Sequence, residues 1–209
     1  MSRKIKIYQD PFGQGKMFKK KFFEFEPGVT VFVGCNGYGK TTLMRNIKEE
    51  LNRQKVPVIS FDNVSEGGSH ARGKMAFYNN FEFVATSMCS SEGENIIMNL
   101  GNTARMIGRF IADNPNAEEL WILLDAIDSG FSIDNIIDVK ELLFKTVLQD
   151  KENAPKEIYI LVSANSYEMA HGERCLDVRT MKYRTFKTYD AYRKFVLKCS
   201  AIKNGEVTT

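Results

Sequence analysis

Lys40, Thr41 and Asp125 are the residues whose types and spacing could do chemistry. The first two close the stretch Gly34-Cys35-Asn36-Gly37-Tyr38-Gly39-Lys40-Thr41-Thr42, which satisfies the pattern G-x-x-x-x-G-K-[ST]. Glycines at 34, 37 and 39 let the backbone turn its N–H groups inward around a polyphosphate, and a helix starting behind them adds its positive end. In that arrangement Lys40 reaches the β- and γ-phosphates and Thr41 ligates Mg²⁺, while Asn36, Gly37, Gly39 and Thr42 belong to the cradle. The competing reading is a Gly-rich strand-to-helix turn with a capping threonine. Asp125 ends the apolar run Leu120–Leu124. A carboxylate at the C-terminal end of such a strand can hold Mg²⁺ through water, although a lone aspartate there also serves as a turn or helix cap.

This chemistry needs a strand before the loop and a helix after it. Val29-Thr30-Val31-Phe32-Val33 is a β-branched and aromatic run that reads as a buried strand, and Thr42-Leu43-Met44-Arg45-Asn46-Ile47 opens a helical pattern expected to reach about Arg53. Upstream, Arg3 to Tyr8 and Lys21 to Phe25 alternate charged and apolar residues, which predicts a small antiparallel strand pair, with Pro27-Gly28 turning the chain into the loop strand. Pro57–Phe61, Leu120–Leu124 and Glu157–Ser163 read as further buried strands. Ile96, Ile97, Leu100, Ala104, Ile107 and Ile111 recur at helical spacing and predict a helix from Glu92 to Ala112, and Ile133 to Leu148 predicts another. Short strands near Cys175–Val178 and Tyr183–Phe186 and a helix from about Tyr189 to Ala201 close the chain, while Met75 to Met88 fits neither period. Strands alternating with helices make the fold class α/β, a mostly parallel sheet covered on both faces.

A chain of 209 residues has room for one such domain, residues 1–209, with a full core. Its 43% apolar and 26% charged content excludes a mainly disordered chain, and a net charge of +3 neither requires nucleic acid nor argues against it. No apolar run approaches the roughly 18 residues of a membrane span, and the N-terminus lacks the apolar core of a signal peptide. A cytoplasmic protein with no membrane partner is expected. Cys35, Cys89, Cys175 and Cys199 form no C-x-x-C pair and read as reduced thiols, and neither His70 nor His171 has partners at metal-ligand spacing.

Ser91 followed by Glu94 is a capping box that starts the helix. The same Ser hydroxyl, the Gly93 backbone and the helix N-terminus also make an anion site that a phosphate could occupy. With this segment in place, the order of motifs resembles the ATP-binding cassette family, and within it the soluble SMC- and RecF-like branch of AAA-type ATPases. The Gly34–Thr42 loop is similar to that family's G-x-N-G-x-G-K-T-T, Ser91-Glu92-Gly93-Glu94 to its signature S-G-G-Q, Leu123-Leu124-Asp125 to its second ATPase motif, and Ser129-Gly130-Phe131-Ser132 to its D-loop. The resemblance spans roughly residues 3 to 190 and implies a homodimer that sandwiches two Mg·ATP, each signature Ser91 and Gly93 contacting the γ-phosphate held by the other subunit. The long coiled-coil arm of the SMC branch has no counterpart, because the residues between 53 and 90 carry no sustained heptads.

Departures from the family bear on turnover. Ala126 stands where the family carries the glutamate that polarises water, and Asn165 stands at the switch histidine. Asparagine can hydrogen-bond a γ-phosphate but cannot become an imidazolium. Asp62 or Asn63 could replace an absent γ-phosphate-sensing glutamine. Asp128 either reaches the water in place of the glutamate or holds the D-loop. Three functions follow: a Mg-dependent ATPase that dimerises on ATP and drives or gates an unnamed protein partner, a non-hydrolysing ATP-sensing switch, and a small-molecule kinase with Arg72 or Arg105 in a lid. The basic run Lys16-Met17-Phe18-Lys19-Lys20-Lys21 fits a solvated hairpin or a nucleic-acid contact, and His70-Ala71-Arg72-Gly73-Lys74 a surface loop or an arginine finger. Phe12 and Phe18 are candidates to stack on adenine.

Overall fold

Period-two alternation in the apolar strands sorts their side chains onto two faces of one sheet, and helices cover both. The computed structural model describes residues 2–62, 92–149 and 155–206. At the start, β1 (Arg3–Lys6) pairs antiparallel with β2 (Phe22–Phe25), Ile5 opposite Phe23, which is the expected strand pair. The main sheet takes β3 (Gly28–Val33), β4 (Val58–Asp62), β5 (Glu119–Asp125), β6 (Glu157–Ser163), β7 (Arg174–Asp177) and β8 (Lys182–Arg184) in the order β4-β5-β6-β3-β7-β8. All neighbours run parallel except β8, which lies antiparallel on β7. The C-terminal ends of β3, β5 and β6 therefore open on the same edge.

Helix α1 (Lys40–Arg53) follows β3, and α2 (Glu92–Ala112) has the expected limits. Val31, Val33, Ile122, Leu124, Ile160 and Val162 point to one face, packed with Ile107 of α2 and with the helical segment after β5. Phe32, Trp121, Leu123, Tyr159 and Leu161 point to the other, under Leu43, Ile47 and Leu51 of α1 and Ile5 and Phe25 of the strand pair. Trp121 and Tyr159, paired across β5 and β6, stack with centroids 4.1 Å apart. No helix among the described residues is long and apolar enough to cross a membrane.

The helix expected over Ile133 to Leu148 is divided into three. It starts as α3 (Ile133–Asp138), widens into a π-helical turn over Val139–Phe144 and resumes as α4 (Lys145–Gln149). The i→i+5 turn gathers Val139, Leu143 and Phe144 on one buried side, which α-helical spacing would split. A short α5 (Tyr167–Ala170) follows β6, and α6 (Tyr189–Lys203) closes the described chain, two residues longer than expected. Tyr192 of α6 joins the first core cluster and Cys199 the second, so this helix spans both layers.

Candidate functional site

The chain leaves β3 at Val33 and makes three left-handed turns before α1, at Gly34 (φ 149°), Gly37 (φ 72°) and Gly39 (φ 105°). At Gly34 the requirement for glycine is also one of space, because a β-carbon there would sit 2.4 Å from Cδ1 of Tyr38. The Tyr38 N–H donates to Cys35 O (3.1 Å), tightening the loop, and Leu43 N–H donates to Gly39 O (2.9 Å) as the helix begins. Lys40 is the first residue of α1 and folds back beneath the loop, where its Nζ donates to Gly34 O (2.9 Å) and Cys35 O (3.3 Å). Only 8% of it is exposed. Burial holds the Lys40 ammonium below the ordinary lysine range, opposed by the nearby Cys35 thiol and by the Asp128 and Asp125 carboxylates. Thr41 is exposed at the first turn, Thr42 half-buried, and Asn36 and Gly37 form the exposed rim.

The adjacent ends of β5 and β6 supply the second half of the site. Asp125 is buried, and its Oδ1 accepts a short hydrogen bond from Ser163 Oγ. Ser163 Oγ in turn accepts from the Ala126 N–H (2.9 Å). Asp128 is also buried, and its Oδ2 accepts from the N–H groups of Asn165 (2.8 Å) and Ser166 (2.7 Å). One oxygen of Asp128 therefore ties the turn after β5 to the segment after β6, while Oδ1 has no hydrogen-bond partner among the described residues. The Asn165 carbonyl accepts from Tyr192 Oη (2.9 Å), and the Asn165 side chain is exposed.

The structure thus gathers Lys40, Asp125, Asp128 and Asn165 along the edge where β3, β5 and β6 end, with Thr41 and Thr42 entering α1. Asp62 is placed opposite Asp125 in the β4–β5 register. Gly93 lies in the first turn of α2; Ser91, Asn63 and Arg72 lie outside the described residues. Phe18 is fully buried, so it presents no face to an adenine, whereas Phe12 is exposed. Lys16, Lys19, Lys20 and Lys21 are exposed, with Lys20 5.2 Å above the Phe23 ring. Ser163, Tyr192 and Lys203 had escaped motif reading. The signal for Ser163 is its position, since it ends an apolar strand as Asp125 does.

Ala126, which follows Asp125 in the chain, is held in the left-handed region at φ 52°. A β-carbon there costs about 1 kcal/mol, partly offset by the greater unfolded-state freedom of glycine. Ala126→Gly is expected to raise stability by about 0.5 kcal/mol, readable as a higher denaturant midpoint at unchanged slope.

No family model matches the chain. Over 128 aligned residues it is 34% identical to a protein of Schizosaccharomyces pombe named zinc-regulated GTPase metalloprotein activator 1, an alignment that takes in 53% of this chain and 31% of that protein. The chain thus spans about a third of the length of that relative. This partial similarity to a protein named a GTPase agrees with the glycine loop between β3 and α1 in suggesting a phosphate-loop, nucleotide-binding unit; it does not speak to the ATP-binding cassette branch in particular.

Proposed function

We propose that this protein binds Mg·ATP at Gly34–Thr42, closes as a homodimer around it and hydrolyses it slowly to drive or gate a protein partner. The observation that carries the reading is Lys40, an ammonium buried inside a glycine loop with two buried carboxylates nearby. Desolvation outweighs the attraction of these carboxylates, so the buried ammonium is stabilised further when another anion meets it. Loop N–H groups and Lys40 would hold the β- and γ-phosphates. The donor set fits magnesium, which prefers hard oxygen ligands and needs only one or two from the protein when phosphates supply others. Thr41 and Asp125 would hold it, and the unpartnered Oδ1 of Asp128 gives a further oxygen nearby. When bound, the ion would neutralise phosphate charge.

Asp128 Oδ1 is also the atom left to take a proton from water, since Oδ2 is engaged by two N–H donors. With alanine at 126, no glutamate shares that task. Phosphate release from ATP by the purified chain is expected to be slow and to fall about 10²-fold in Asp128→Asn. Equal release by the two proteins would remove Asp128 from catalysis, and tight ATP binding without release would favour the non-hydrolysing switch. Ser91→Arg is expected to abolish ATP-dependent dimerisation, measured by light scattering; an intact dimer would overturn the signature role.

A second reading keeps the site and changes the base. The similarity to a protein named a GTPase favours GTP, and competition of GTP against bound ATP separates the two.

A further inference from the structure

We propose that Lys203, in the last turn of α6, is a second phosphate-binding cation of the Gly34–Thr42 loop; this rests on the nucleotide reading above. Tyr192, Cys199 and Lys203 follow one another at spacings of seven and four, so they share one side of the helix. That side lies along the site. Tyr192 Oη donates to the Asn165 carbonyl, Cys199 is buried in the same core cluster as Tyr38 of the loop, and Lys203 Nζ donates to Asn36 O at 3.1 Å. A β-carbon on Gly37 would stand 3.4 Å from that ammonium, so Lys203 lies against the rim glycine itself. Among the described residues no carboxylate pairs with Lys203, and its only bonded partner there is a neutral carbonyl. A positive charge without a counter-charge thus sits at the mouth of an anion cradle, opposite the buried Lys40. A phosphate oxygen carries the full opposite charge that the Asn36 carbonyl lacks and adds Coulomb attraction to the hydrogen bond, so a polyphosphate in the loop is the better partner for Lys203. Lys40 would hold the phosphates from below and Lys203 from the rim.

The test titrates the full chain with Mg·ATP by calorimetry over a range of salt concentrations. Lys203→Gln is expected to weaken ATP binding about tenfold and to flatten its salt dependence, and Lys203→Arg to keep most of the affinity. Lys198→Gln, an exposed lysine of the same helix that removes the same charge, is expected to stay within about twofold of the wild type. Lys203→Gln matching Lys198→Gln, or binding ATP more tightly than the wild type, would overturn the proposal while leaving the nucleotide reading intact. Absence of ATP and GTP binding by the wild type would overturn both. Unchanged far-ultraviolet circular dichroism shows that the Lys203 variants are folded.

Discussion

Replacing Gly34 by alanine is expected to lower the stability of the fold by about 2–4 kcal/mol, through left-handed backbone strain and overpacking together. Alanine would have to adopt φ 149°, and its β-carbon would lie 2.4, 3.0 and 3.2 Å from three atoms of Tyr38. The tyrosine cannot yield easily. It is 3% exposed within the second core cluster, with the Arg179 guanidinium 5.3 Å above its ring. Gly37→Ala makes the internal comparison, because its φ of 72° is equally left-handed but its only near neighbour among the described residues is the end of a flexible lysine. A loss of about 1 kcal/mol is expected there. Denaturant unfolding of both variants separates strain from crowding, and a Gly34→Ala midpoint equal to that of Gly37→Ala would refute the packing account.

Lys40→Ala is expected to weaken nucleoside triphosphate binding by about 10²–10³-fold, the range found when one partner of a buried charge pair is truncated. Its effect on the empty protein has a definite sign with pH. Burial depresses the Lys40 ammonium, so the unfolded chain holds this proton more tightly than the folded one. The resulting destabilisation is full below the depressed value, shrinks as pH rises through it, and is gone above the ordinary lysine value of about 10.4. Stability of the wild type therefore gains from this group on the alkaline side, and Lys40→Ala loses that part of the profile. Desolvation of the Lys40 ammonium outweighs the attraction of Asp125 and Asp128, and a further anion in the loop would offset that cost.

What could be read in advance follows from how local the information was. The strand over Val29–Val33 is encoded by consecutive β-branched and aromatic residues, and α2 by apolar side chains returning every three or four positions, so both were legible, α2 with its limits and the strand to within the one residue Gly28. The glycine loop was legible because its residues are contiguous. Asp125 with Ser163, 38 positions away, and Lys203 with Asn36, 167 away, were not. Those pairs exist only once β5 lies beside β6 and α6 crosses to the loop, and strand order leaves no periodic mark in a sequence. Phe18 was misjudged for the same reason, since a basic run gave no sign that its aromatic member would fill the core between the strand pair and the loop. The π-helical turn at Val139–Phe144 preserves an amphipathic pattern while shifting its phase, which a single helical period cannot register.

The central claim, that the loop between β3 and α1 receives a nucleoside triphosphate, is tested most directly by calorimetric titration of the wild-type chain and of Lys40→Ala with ATP and with GTP in the presence of Mg²⁺. The account predicts saturable binding of a triphosphate by the wild type, ATP ahead of GTP, and its loss in Lys40→Ala. Failure of the wild type to bind either nucleotide, or equal binding by Lys40→Ala, would contradict it.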